Sequence, residues 1–84
     1  MRVTVRLFAR LREAAGCEIA ECEVPAQARV ADVWSEISAR HPALVPFGAS
    51  LSAAINAEFA KMSSPVREGD EVAFLPPVSG GSAP

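Results

Sequence analysis

The chain has 84 residues, half of them hydrophobic, which suits one small domain with its own core. Its formal net charge of -2 at pH 7 argues against a protein that binds nucleic acid through phosphate contacts. The longest uncharged run, residues 41–57, is interrupted by Pro42 and Pro46, so no membrane-spanning helix is expected. These features predict a soluble, cytoplasmic domain without a nucleic-acid or membrane partner.

The first part of the chain alternates between strand and helix patterns. Residues 2–8, RVTVRLF, alternate apolar and polar side chains, which predicts a half-buried strand with Val3, Val5 and Leu7 facing the core. Residues 9–16, ARLREAAG, place apolar side chains at helical spacing and end on a glycine, a common helix stop. A short helix is therefore expected after the first strand.

A second strand and the main helix follow. Residues 18–24, EIAECEV, alternate again, with Ile19 opposed by Glu18. Residues 30–40, VADVWSEISAR, repeat apolar side chains at i, i+3, i+4 and i+7, which predicts an amphipathic helix of about three turns. Arg29 stands where a serine, threonine or aspartate cap is usual, so the sequence defines the start of this helix poorly.

Three shorter segments complete the pattern. Residues 51–57 predict a strand, and after a turn a short strand or loop follows around Phe59. The turn signal REGDE, residues 67–71, leads into the last predicted strand, residues 71–75. The residues expected to face the core here are Leu51, Ala53, Ile55, Val72 and Phe74.

The order of these elements predicts an α+β fold, a roll in which a mixed sheet of four or five strands wraps one main helix. The strand parity places Phe8 and Leu75 on the side opposite the core. Apolar residues in such positions are common singly on protein surfaces, or they mark a partner-binding surface.

The sequence offers little chemistry of its own. Cys17 and Cys22 lack metal-ligand spacing and are expected to be reduced thiols. His41, the single histidine, is expected to interact with the dipole at the end of the main helix. No metal site, bound cofactor or active site is therefore predicted.

Four arginines precede the first acidic residue, Glu13, and give the chain a basic start. They are Arg2, Arg6, Arg10 and Arg12. Two interpretations remain open: a solvated strand and helix face, or a docking surface for an acidic partner.

The C-terminal sequence FLPPVSGGSAP, residues 74–84, is unusual for a small domain. Pro76 and Pro77 stiffen an extended exit from the last strand, and Gly80 and Gly81 carry no side chain. This segment is either a frayed terminus or an arm that can enter a channel too narrow for a β-carbon.

Three stretches resemble the family of molybdopterin synthase small subunits: LFARLREAAG (residues 7–16), AINAEF (54–59) and REGDEVAFLPPVSGG (67–81). The pattern GDEVAF-x-PP-V-x-GG in the last stretch is the most specific part. The resemblance implies a ubiquitin-like β-grasp fold, in agreement with the predicted roll. It implies a carrier domain over residues 1–81 with a flexible tail over 76–81, and leaves 82–84 as an extension.

The resemblance further implies a sulfur carrier, a non-catalytic subunit rather than an enzyme alone. The carboxylate of Gly81, with Gly80 before it, would be adenylated by a ubiquitin-activating-like adenylyltransferase that consumes ATP, and then converted to a thiocarboxylate. The tail, with Pro76, Pro77 and Val78, would enter the large synthase subunit and pass its sulfur to a cyclic pterin.

Partner docking is implied for Phe8, Phe59 and Leu75, which match the family's outward apolar positions. The chain departs from the family at Arg29, where a threonine cap is usual, and in the extra residues 82–84. Three explanations of this extension remain open: a segment that a processing protease removes, a cloning remnant, or the tail of an inert paralogue. Rival functions are a sulfur carrier for cysteine or thiamine synthesis, a ubiquitin-like protein modifier, and a β-grasp module that only binds.

Overall fold

Residues 1–77, which the computed structural model describes, form five strands and two α-helices. The strands are β1 (Arg2–Leu7), β2 (Ile19–Glu23), β3 (Ser52–Ile55), β4 (Glu58–Ala60) and β5 (Glu71–Leu75). The helices are α1 (Arg10–Ala15) and α2 (Val30–Arg40), and a 3-10 helix spans Pro42–Ser50. The predicted elements are thus all present, and the α+β class is confirmed.

The five strands form one mixed sheet in the order β2-β1-β5-β3-β4. The first and last strands, β1 and β5, are parallel neighbours, whereas every other neighbouring pair is antiparallel. This is the ubiquitin-like β-grasp topology, so that expectation is confirmed as well. Because Leu7 pairs with Phe74 in the parallel ladder, the ends of β1 and β5 lie side by side.

The core lies between α2 and the inner face of the sheet, the face that carries Val5 and Val72. Alternate residues of β1 are fully buried, as their parity predicts. The rings of Trp34 on α2 and Phe74 on β5 meet edge to face, with centroids 5.0 Å apart and planes inclined by 64°. The other core residues of the two helices are Leu11, Val30, Val33 and Ile37.

The core-facing side chains of β2 do not include Ile19, the largest apolar residue of the strand. Ile19 is 53% exposed, while Cys22 and Val24 are buried. The register explains this, because Cys22 pairs with the core residue Val3 and Ile19 pairs with Arg6 on the opposite face.

The predicted core face of β3 is confirmed. Ala53 is buried in the core, and Leu51 and Ile55 are half-buried and pack against it. Ala54 is buried too, although it has the opposite parity and does not belong to the core cluster.

The start of α2 is stabilised by tertiary contacts rather than by the side chain of Arg29. The backbone N–H groups of Val30 and Ala31 donate to the carbonyls of Ser64 and Met62, both at 2.9 Å. These bonds satisfy donors that every helix N-terminus leaves without intrahelical partners. The side chain of Arg29 instead reaches out and donates from Nη1 to the carbonyl of Ser63 at 2.7 Å. The missing threonine cap is thus replaced by the loop that follows β4.

The side chain of Asp32 makes one more hydrogen bond at the start of α2. Replacing Asp32 with alanine tests how much this bond stabilises the helix start. Its Oδ2 accepts a hydrogen bond from the backbone N–H of Arg29 at 2.8 Å. We expect Asp32→Ala to lower the free energy of unfolding by about 1 kcal/mol, the typical cost of losing a cap. Urea unfolding measures this, with Glu36→Ala on the exposed side of α2 as the control. Equal stability of the two variants would show that the loop carbonyls alone define the helix start.

Both cysteines are free thiols. Burial raises the pKa of the Cys22 thiol, and the guanidinium of Arg40, whose Nη2 lies 2.8 Å from Sγ, acts in the opposite direction. Cys17 is half-buried. Separately, no helix within residues 1–77 is long and apolar enough to cross a membrane.

Candidate functional site

The face of the sheet opposite α2, which we call the outer face, carries the side chains that alternate with those of the core. The strand registers align one residue from each strand in a row across it. From β2 to β4 the row reads Ile19, Arg6, Ala73, Ala54 and Phe59. Apart from Arg6, the residues of this row are apolar.

Phe8 lies directly after β1, where the chain bends towards α1; the predicted strand extended one residue too far. The bend is made at Ala9, whose φ of 52° is rare for a residue with a β-carbon. Phe8 is 37% exposed, and the guanidinium carbon of Arg6 lies 5.7 Å from the centre of its ring. That distance is within the range of a cation–π contact, which holds the ring beside the outer face.

Leu75 ends β5 on the outer face, half-buried and paired with Ser52 of β3. Pro76 is half-buried and Pro77 is exposed. Since neither proline has a backbone N–H, neither can donate to the ladder, and β5 stops before them. Because β1 and β5 are parallel, the chain leaves the sheet beside Phe8.

Phe59 is 85% exposed in the middle of β4. A tight turn joins β3 to β4, and both Asn56 (φ 49°) and Ala57 (φ 73°) take the left-handed conformation typical of a two-residue hairpin. The side-chain amide of Asn56 donates to Asp70 and accepts from the backbone N–H of Glu71, each at 3.0 Å. These bonds tie the hairpin that carries Phe59 to the start of β5.

Arg6 and Arg2 are both engaged in ion pairs on the outer face. Arg6 contacts Glu71 at 3.3 Å and Glu18 at 3.7 Å through its terminal nitrogens, while its buried Nε–H has no acceptor among residues 1–77. Arg2 contacts Glu23 at 3.0 Å. The hydrogen bond to Glu23 and the charge of Glu21 raise the pKa of the Arg2 guanidinium above its ordinary value. For these two arginines, the structure favours a solvated ion-paired face over a basic docking surface.

Three members of the row across the outer face were not identified from the sequence: Ile19, Ala54 and Ala73. The two alanines carry no signal on their own, because a small apolar side chain suits either face of a strand. Ile19 could not be assigned to this face from alternation alone either, because the register between β1 and β2 decides which parity of β2 faces the core.

The remaining predicted site residues, Val78, Gly80 and Gly81, lie outside the described residues, as does the extension 82–84. Within residues 1–77, no group of acidic, cysteine or histidine side chains could hold a metal ion, and no pocket is found. His41 follows the last residue of α2 and donates its backbone N–H to Ile37 at 3.0 Å, which confirms its place at the helix end.

Comparison with known proteins identifies the family to which this fold and outer face belong. Residues 5–81 match the ThiS family. The chain belongs to the ThiS family. The match extends through both glycines of the tail, and residues 82–84 lie beyond it.

Proteins similar to this chain include sulfur carrier subunits of molybdopterin synthase and a small archaeal modifier protein. The molybdopterin synthase sulfur carrier subunit of Homo sapiens is 31% identical, over 95% of this chain and 94% of its own length. Its namesake in Chlamydomonas reinhardtii is 36% identical, over 96% and 100%. The crystal structure of SAMP1 from Haloferax volcanii, a small archaeal modifier protein, superposes with a TM-score of 0.85 at 34% identity, covering 96% of this chain and 100% of its own.

Proposed function

We propose that this chain is the sulfur carrier of molybdopterin synthase. The observation that carries the proposal is the family match through the diglycine, supported by relatives of that name at 31% and 36% identity over nearly the whole chain. In this function the chain supplies a reactive terminus, and its partners supply the catalysis.

The proposed chemistry takes place at the carboxylate of Gly81. A terminal carboxylate is ionised at neutral pH, and one of its oxygens attacks the α-phosphorus of ATP on the adenylyltransferase, which expels pyrophosphate. Hydrosulfide then attacks the carbonyl carbon of the acyl adenylate and AMP leaves, so that Gly81 ends in a thiocarboxylate. In the large subunit the thiocarboxylate sulfur forms a bond to a carbon of the cyclic pterin, which loses an oxygen substituent, and water cleaves the acyl–sulfur bond and returns Gly81 to a carboxylate. Each carrier delivers one sulfur, so two carriers supply one dithiolene.

This chemistry requires that Gly81 be the last residue. In the 84-residue chain its carbonyl belongs to the amide bond with Ser82, which has no ionised oxygen to attack ATP. We therefore include a protease that removes residues 82–84 among the partners.

We assign the docking of the adenylyltransferase and of the large subunit to the outer face. Phe8 and Leu75 lie beside the point where the tail leaves the sheet, and Phe59 extends the same apolar surface towards the edge strand. A partner that covers these side chains brings the tail to a fixed starting point, from which Pro76, Pro77 and Val78 lead into its active site.

Replacing an exposed residue of this surface tests the docking assignment. We expect Phe59→Asp and Phe8→Asp to weaken binding to the large subunit by about 1–3 kcal/mol, as anchor residues do. Both side chains are exposed, so the free energy of unfolding should change little. Val45→Asp is the matched control, since Val45 is 60% exposed on the 3-10 helix, away from the sheet. Loss of stability with unchanged affinity would mean that these aromatic residues serve the fold and not the partner.

Reconstitution tests the function as a whole. The chain ending at Gly81, the adenylyltransferase, ATP and a sulfide source should yield a carrier that, with the large subunit, converts the cyclic pterin into its dithiolene. Omission of ATP should abolish the product. No dithiolene from a carrier whose mass shows the thiocarboxylate would exclude this pathway and favour a carrier for cysteine or thiamine synthesis.

A second candidate function, protein modification, is favoured by the similarity to the Haloferax volcanii modifier, which is 36% identical over 90% of this chain. The same acyl adenylate would then react with a lysine amine of another protein, and AMP would leave. Denaturing gels of the source cell, probed for this chain, should show conjugates of higher mass if modification is its function, and free chain alone if it is not.

A further inference from the structure

The outer face is unevenly charged, and its two halves differ. The half formed by β5, β3 and β4 presents Leu75, Ala73, Ala54 and Phe59. All four ion pairs found among residues 1–77 are made by Arg2 and Arg6 of β1, with Glu21 and Glu23 on β2, Glu18 just before β2, and Glu71 at the start of β5. We call β1, β2 and the adjoining Glu18 and Glu71 the charged half. An apolar half and a charged half therefore share one continuous sheet surface.

The charged half has more carboxylates than arginines. Arg6 lies between Glu18 and Glu71, and Arg2 lies between Glu21 and Glu23. Two positive charges thus face four negative ones, so each arginine leaves one carboxylate charge uncompensated.

A fifth carboxylate, that of Glu68, lies at the edge of this half and adds to its negative charge. Glu68 accepts the backbone N–H of Arg2 at 2.9 Å, and its charge is among those that raise the pKa of the Arg2 guanidinium. The four paired glutamate side chains are between 42% and 68% exposed, so a partner can reach them.

A partner that covers this face removes water from the surplus carboxylates. Loss of that hydration is costly unless opposite charges replace it. The apolar half must likewise be covered by apolar side chains to gain from burial. Ile19, exposed at the β2 end of the central row, adds an apolar contact inside the charged half.

We propose that the docking footprint spans all five strands and that its partner, the large synthase subunit, presents lysine or arginine side chains opposite β1 and β2 and apolar side chains opposite β5, β3 and β4. This inference rests on the proposed function, and it specifies the partner's chemistry. It also argues against an acidic partner at Arg2 and Arg6, two of the four arginines at the start of the chain.

Charge reversal on β2 tests the proposal. We expect E21K/E23K to weaken binding to the large subunit on the order of tenfold at about 0.1 M salt, with most of the loss in the association rate, and the loss should shrink at about 1 M salt. The neutral variant E21Q/E23Q should lie between it and the unmodified chain. Because both glutamates are exposed and such surface pairs contribute little stability, the fold should be unaffected, which urea unfolding verifies.

Glu36→Lys is the matched control, because Glu36 is exposed on α2, on the other side of the sheet. Its affinity should stay that of the unmodified chain. Unchanged or tighter binding of E21K/E23K, while Phe59→Asp still weakens the complex, would overturn this inference and leave the proposed function standing. No binding of the unmodified chain would overturn both.

Discussion

A chain ending at Gly81 is expected to release pyrophosphate readily when mixed with the adenylyltransferase and ATP, whereas the 84-residue chain should release almost none. The reason is chemical and positional. Residues 82–84 convert the Gly81 carbonyl into an amide, and they displace the terminal carboxylate by up to about 10 Å. A displacement of even about 1 Å can cost a hundredfold in rate, so the loss should approach the detection limit.

The control for this experiment is the mass of the full-length protein before and after the assay, which excludes trimming in the tube. A chain ending at Ser82 is a second control, because one added residue already removes the carboxylate from Gly81. Equal rates of pyrophosphate release from the intact 84-residue chain would mean that Gly81 does not carry the chemistry.

Sulfur transfer is expected to fall steeply in a Gly81→Val chain that ends at residue 81, while stability stays nearly unchanged. Gly81 follows β5 by six positions, so the core and the sheet do not depend on it. A valine side chain adds a branched group on the α-carbon, next to the reacting carbonyl carbon, and a channel fitted to glycine has no room for it.

A size series makes this prediction sharper. Gly81→Ala should lose less transfer activity than Gly81→Val. Both variants should bind the large subunit through the outer face as tightly as the unmodified chain does. Dithiolene formation measures the transfer, and urea unfolding measures the stability. Full activity of the valine variant would refute the narrow channel.

Local pattern was sufficient to predict most elements of this fold. The helical spacing of Val30, Val33 and Ile37 fixed α2 at the residues where it is found, and the alternation around Val5 and Phe74 fixed the core side of β1 and β5. These segments bury one face strongly, so their periodicity reports the fold directly.

Features that depend on pairing between distant segments were not predictable in the same way. The cap of α2 comes from carbonyls of Met62 and Ser64, about thirty residues away along the chain. The exposure of Ile19 follows from the register between β1 and β2. Local pattern cannot report a register, because alternation is compatible with pairing at either parity.

The candidate site shows the same division. Strand parity marks Phe8 and Leu75 as outward apolar residues, the family resemblance adds Phe59, and the structure places all three on or beside the outer face. The surplus of carboxylates around Arg2 and Arg6 emerges only when the glutamates of β2 and β5 are brought beside β1. The sequence therefore predicts the large apolar side chains of the outer face but not its alanines or its charged half.

The intact mass of this protein, purified from its own cell, tests the sulfur-carrier proposal most directly. We predict a chain that has lost Ser82, Ala83 and Pro84, and a fraction of it in which one oxygen is exchanged for one sulfur. Tandem mass spectrometry should locate that sulfur on Gly81. A population that consists entirely of the 84-residue chain, with no sulfur added at any residue, would contradict the proposal.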